Sequence, residues 1–168
     1  MDNTNVQHKL RIREGVMRFP VSHSLCVETN AGMGTMTAFW SSLCDRVVSF
    51  DTDSGKLKAI QWPNVETRCL TNKSEEARRV MLASEIVDVD PHGDPWGFIR
   101  DILRNGKTPQ VFIAFTDGSW WERRWNTDAR RNVRDKLLEL PKGSQHCIEQ
   151  VKRSGRMYYG WIYYRREP

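Results

Sequence analysis

Four residues in one short run have the types that bind divalent metal. Asp88, Asp90, His92 and Asp94 alternate through the stretch VDVDPHGD. In an extended chain all four side chains project to one side. Oxygen and imidazole donors grouped in that way suit metal-assisted hydrolysis, nuclease chemistry included. Compared with a calcium loop, Gly93 falls in the sixth place, but Ile99 stands where the bidentate Glu belongs, and Pro91 and Pro95 interrupt the run. The simpler reading is a polar loop whose Asp94 caps a helix. On that reading the chain needs no metal, and no cofactor is expected.

A second constellation combines cations with aromatic rings. Trp121, Arg123, Arg124 and Trp125 lead into Arg130, Arg131 and Arg134. Lys152, Arg153 and Arg156 precede Tyr159, Trp161, Tyr163 and Arg165. Arginine grips phosphate bidentately and stacks on bases, and exposed rings on a sheet offer platforms for unpaired bases. The same residue types also serve as hot spots of protein interfaces. Charge follows this constellation. Residues 1–106 hold 13 Lys and Arg against 14 Asp and Glu, whereas residues 107–168 hold 13 against 7. The net charge of +5 therefore belongs to the C-terminal third, which predicts an anionic partner: nucleic acid, DNA or RNA, or an acidic protein.

Other motifs carry less. Thr116-Asp117-Gly118-Ser119 after an apolar run resembles the first-strand signature of ribonuclease H. That fold needs further strands and acidic residues, but only 49 residues follow Ser119, and their charges are mostly basic, 12 Lys and Arg against 6 Asp and Glu. An Asp-Gly turn explains the tetrapeptide instead. His23 with Cys26, and His146 with Cys147, make a thiol nucleophile only if folding brings sulfur and imidazole together. Free cysteine is commonly a small buried apolar residue. Asn30 to Gly34, NAGMG, has two glycines but lacks the rest of a dinucleotide fingerprint, and it reads as a loop.

The elements that would position these residues are read from periodicity. Leu10 and Ile12 alternate with Arg11 and Arg13, so 9–19 reads as a strand after a frayed polar start at 1–8. Residues 25–29 read as a short strand. Residues 46–50 and 56–62 read as a hairpin around Asp53-Ser54-Gly55. A helix begins near Asn72, with Glu75 completing a capping-box-like pair. Ala77, Val80, Met81 and Ser84 form its inner stripe. Residues 86–89 fit either an extension of that helix or a strand. Asp94-Pro95 opens a second helix, lined by Trp96, Ile99 and Leu103 and closed by Gly106.

The central hairpin is expected at 111–125, turning at Asp117-Gly118. A third helix covers about 128–140, capped by Asn126 or Thr127 and stopped by Pro141. The last hairpin pairs 148–152 with 156–165. Together these predict one α+β domain over 1–168: a mainly antiparallel sheet of about six strands in three hairpins, with about three helices packed on it.

Class follows from exclusion. The N-terminus has no apolar signal segment and no run is long enough to span a membrane. Four scattered cysteines without a Cys-x-x-Cys pair suit a reducing cytoplasm, where the sequon Asn72-Lys73-Ser74 has no use. The expected function is a non-enzymatic nucleic-acid-binding domain acting through the basic, aromatic C-terminal surface. One alternative is a protein-binding inhibitor or assembly module of the kind phages and mobile elements encode. The other is a metal-dependent hydrolase or nuclease built on Asp88 to Asp94.

Overall fold

The computed structural model describes residues 5–91, 93–118, 133–151 and 157–167. Seven strands form one sheet: β1 (Leu25–Thr29), β2 (Arg46–Asp51), β3 (Val65–Cys69), β4 (Ile86–Val89), β5 (Gln110–Asp117), β6 (Gln145–Val151) and β7 (Met157–Arg165). Their spatial order is β3-β2-β1-β4-β5-β7-β6. β1 to β5 run parallel, and β7 is antiparallel to both β5 and β6.

The described helices are α1 (Val6–Arg13), α2 (Thr35–Leu43), α3 (Ser54–Leu57), α4 (Glu75–Leu82), α5 (Trp96–Asn105) and α6 (Val133–Leu138), with a 3-10 turn at Glu14–Arg18. Both sheet faces are covered. On one, Ala77 and Met81 of α4, Ile99 and Leu103 of α5 and Val133 of α6 pack over Val27, Val87, Ile113 and Ile162. On the other, Ile12, Val16, Met36 and Trp40 pack over Cys26, Val47, Phe112 and Trp161. Coverage on both sides explains why VFIAF in β5 is continuously apolar rather than alternating.

The expected mainly antiparallel, six-strand α+β sheet is therefore corrected to a seven-strand, mostly parallel α/β sheet. Residues 25–29 and the α5 stripe stand as read, and the two strands of the last hairpin pair as expected, over 145–151 and 157–165; its turn at Ser154-Gly155 lies outside the described residues. The ambiguous segment 86–89 is strand β4. The expected hairpin at 46–62 is not formed. Asp53 does not turn a hairpin; its carboxylate accepts from the backbone N–H groups of Gly55 and Lys56 and caps α3. The expected central hairpin has no free edge along most of β5, because β4 pairs on one side and β7 on the other. Its return strand, with Trp121 and Trp125, lies outside the described residues.

The expected first strand at 9–19 is instead helix α1 and the 3-10 turn. Ile12 and Val16 lie one helical turn apart and both enter the core. Helix α4 is capped by Ser74, whose hydroxyl accepts from Ala77 N–H, and not by Asn72. Asn72 donates to Asn30 instead.

Candidate functional site

The parallel strands end on one side of the sheet, and β1 and β4 leave it in opposite directions, toward α2 and α5. In an open α/β sheet the crevice outside such a switch point is where ligands bind. One wall is the turn from β1 into α2. Asn30, Gly32 and Gly34 have φ of 60°, 56° and 84°, a left-handed region cheap for glycine and tolerable for asparagine.

The two glycines act differently. A Cβ on Gly32 would meet nothing within 4 Å, so the backbone there faces open space. A Cβ on Gly34 would come within 2.8 Å of Ile60 and 3.2 Å of Trp62, so close packing holds the turn from behind. Asp51, at the end of β2, accepts from the N–H of Gly32 at 2.9 Å and from that of Asp53 at 2.9 Å. An acid at this place, about 20 residues beyond the turn, suits the hydroxyls of a ribose.

The other wall is built of charges. Asp88 on β4 is fully buried and receives Arg13 of α1 bidentately, at 2.5 Å from Nε and 2.6 Å from Nη2. Trp40 Nε1 donates to the same carboxylate at 2.7 Å. In register beside Asp88 lies Glu28 of β1, which accepts from Thr37 Oγ1 at 2.5 Å and Ser49 Oγ at 3.0 Å. Burial, and after it the charge of Asp88, pushes the Glu28 carboxyl up to about 8; Thr37, Ser49 and Arg13 oppose the rise.

Just past β4, Asp90 pairs with Lys9 of α1, while Arg13 Nη2 stands 4.0 Å from it. Its backbone N–H donates to Thr29 Oγ1 at 3.3 Å, which joins the two walls. Burial works to raise the Asp90 carboxyl, but Lys9 and Arg13 outweigh it and hold it below the usual range.

The segment after Asp90 lies against the end of β5. Gly118 N–H donates to Gly93 O at 3.1 Å. Asp94 accepts from Trp96 N–H at 3.0 Å and from Lys136 at 3.2 Å, and Trp96 Nε1 donates to the buried Asp117 at 3.0 Å. The expected metal run is thus dispersed. Asp88 is closed inside an ion pair, Asp94 serves a helix start, and His92 lies outside the described residues. Among the described residues no group of His, Cys, Asp and Glu could hold a metal.

The aromatic platform is also reassigned. Tyr159, Trp161 and Tyr163 are core residues, with Phe19 stacked on Tyr163 and edge-on to Trp161. β7 is interior to the sheet, so rings on both its faces pack under helices or the 3-10 turn. Arg165 is exposed at the end of β7. Trp121, Arg123, Arg124, Trp125, Arg130, Arg131, Lys152, Arg153 and Arg156 lie outside the described residues, as does the side chain of Arg134. Sequence reasoning missed Lys9, Arg13, Glu28 and Asp51. A usable signal existed in two short runs that meet an acid, Leu25-Cys26-Val27 before Glu28 and Val47-Val48-Ser49-Phe50 before Asp51.

Neither a family model nor a curated protein matches the sequence. Solved structures do match its shape. An rRNA methylase from Streptococcus thermophilus aligns over 99% of both chains at 15% identity, with TM-score 0.63. The N-methyltransferase NodS from Bradyrhizobium japonicum aligns over 95% of this chain and 94% of its own, at 11% identity and TM-score 0.61. The plantazolicin methyltransferase BpumL, solved with a triazolic desmethylPZN analogue and S-adenosylhomocysteine (SAH), aligns over 96% of this chain and 84% of its own at 10% identity and TM-score 0.59.

The chain therefore has the Rossmann-like fold of these enzymes. That corrects the expectation of a non-enzymatic nucleic-acid-binding domain, and with it the interaction-module and hydrolase alternatives. These three neighbours are named as a methylase or methyltransferases, and the crevice of this chain lies at the switch point between β1 and β4. Among the described residues no helix is long and apolar enough to cross a membrane.

Proposed function

We propose that the protein is a methyltransferase using S-adenosylmethionine. The observation that carries this reading is the crevice wall at the end of β1 and β2: a left-handed turn open to space at Gly32, with the Asp51 carboxylate beside it. The residues fit an adenosyl group. Asp51 keeps lone pairs for ribose hydroxyls after taking two backbone N–H groups. Gly32 lets the ligand approach the main chain, and Gly34 with Ile60 and Trp62 makes the turn rigid. When bound, S-adenosylmethionine would supply a methyl group on a cationic sulfur and leave as SAH. The neighbour solved with SAH supports this class of ligand.

For the acceptor we propose nucleic acid. The support is the excess of cations in residues 107–168, which would neutralise phosphates and make binding fall with salt. The neighbour named an rRNA methylase is consistent with that choice. An acidic protein is the competing acceptor. We place the activity in the cytoplasm, where Cys26, Cys44, Cys69 and Cys147 stay as the free thiols found in the structure.

The test is calorimetric titration with SAH, followed by transfer of labelled methyl groups to RNA, DNA or protein at two salt concentrations. Saturable binding that Asp51→Ala weakens at least tenfold, with the circular dichroism spectrum unchanged, is expected. No heat and no thermal shift at millimolar SAH would overturn the reading.

A further inference from the structure

The Lys9–Asp90 pair sits where the two walls meet. Asp90 follows β4 directly, and its N–H is bonded to Thr29, the last residue before the glycine turn. Lys9 comes from α1, on the opposite side of the crevice from Asp51. Both side chains are mostly covered yet keep 15% and 19% of their surface exposed. This differs from the Arg13–Asp88 pair beneath it, which has none.

Asp90 also has a second cation. Arg13 Nη2 lies 4.0 Å away and is anchored by its bidentate contact with Asp88. If Lys9 turned to another anion, Asp90 would keep a fixed positive charge nearby. Lys9 can move on a flexible stem and has three donors to offer, whereas Arg13 is locked. The crevice therefore presents, beside the adenosyl wall, one mobile cation and one carboxylate whose charge stays balanced when that cation moves. An α-amino acid group carries the matching pair of charges.

We propose that Lys9 and Asp90 form the subsite for the amino-acid end of an S-adenosyl ligand, Lys9 taking its α-carboxylate and Asp90 its α-ammonium. This rests on the methyltransferase reading above. It makes α1 part of the binding site and not merely a cover over β7. Lys9 and Asp90 act here by binding and positioning and take no part in bond making.

The bland alternative is that Lys9 only staples α1 to the sheet. Two ligands separate these readings. SAH and 5′-methylthioadenosine share adenosine and a thioether, but only SAH has the amino-acid end. Titration of the full chain with each, for the unaltered protein, Lys9→Gln and Lys9→Arg, gives the answer. The unaltered protein should bind SAH at least tenfold more tightly than methylthioadenosine. Lys9→Gln should weaken SAH roughly tenfold, about the worth of one charge-assisted contact, and leave methylthioadenosine within twofold. Lys9→Arg should restore most of the loss.

If Lys9→Gln weakens both ligands equally, Lys9 is a staple and the subsite is wrong. An unchanged SAH affinity refutes it as well. If the unaltered protein binds the two ligands alike, the subsite falls while the adenosyl site stands. If it binds neither, the methyltransferase reading falls, and the subsite with it.

Discussion

The two walls of the crevice hold their shape by different physics. The β1–β2 wall is made of main chain: positive-φ residues, backbone donors on Asp51, and a glycine pressed against Ile60. The β4–α1 wall is made of ionised side chains: Asp88, Asp90, Arg13 and Lys9, with Glu28 in register beside Asp88. A backbone-built wall is held by main-chain conformation and close packing. A charge-built wall depends on each partner being present and correctly protonated, because a buried charge without its counter-ion is far costlier than an absent pair.

Breaking the charge-built wall at its centre should have the largest effect. Arg13→Leu leaves Asp88 buried with Trp40 as its one side-chain donor among the described residues, and should cost about 3–5 kcal/mol of unfolding free energy in urea denaturation. Replacing Arg13 and Asp88 together with apolar residues should recover much of that loss. If the single substitution costs no more than a surface change, the contrast between the walls is wrong.

The backbone-built wall is probed by its glycines. Gly34→Ala adds a Cβ at φ 84° and a 2.8 Å approach to Ile60, and should cost about 1–3 kcal/mol. Gly32→Ala has the φ penalty alone, about 1 kcal/mol, but should weaken SAH binding more than Gly34→Ala does for its stability loss. Calorimetry beside thermal unfolding separates the two effects.

The pH dependence sharpens the comparison. Glu28 is held at about 8 in the folded chain, against roughly 4.3 when unfolded. Between those values the unfolded chain releases a proton that the folded chain keeps. Glu28 therefore favours folding below its unfolded value and loses that contribution as pH rises toward 8, by up to about 1.4 kcal/mol per pH unit. Asp90, held low by Lys9 and Arg13, acts in the opposite sense and only below the ordinary carboxylate range. Glu28→Gln should flatten the stability profile between pH 5 and 8, read by denaturation at several pH values. The smallest stability change belongs to Lys9→Gln. Arg13 stays beside Asp90 when Lys9 is lost, so the cost should fall well below that of Arg13→Leu, and the effect shows in ligand selectivity more than in Tm.

Local chemistry made parts of this protein legible in its sequence. β1 at 25–29, the α5 stripe of Trp96, Ile99 and Leu103, and the hairpin of β6 and β7 all follow from patterns within a dozen residues. Asp53 before Ser54-Gly55 shows where this stops, since the same residues turn a hairpin or cap a helix. The choice depended on whether a partner strand lay beside β2, and β2 is flanked by β1 and β3. Likewise Leu10, Arg11, Ile12 and Arg13 alternate like a strand, yet they form a helix, because Ile12 meets the core and Arg13 finds Asp88 75 residues away.

By itself, the sequence determined which segments could be extended or helical, where they stopped, and that the cations gather toward residue 168. It did not decide strand direction, because a continuously apolar run such as VFIAF marks a strand covered on both faces but does not say which distant strand lies beside it or which way that strand runs. That decision belongs to tertiary structure. It put β1 next to β4 and so brought Glu28, Asp88, Asp90, Lys9 and Arg13 into one cluster. Coulomb attraction and burial act on distance in space, and separation along the chain does not record it.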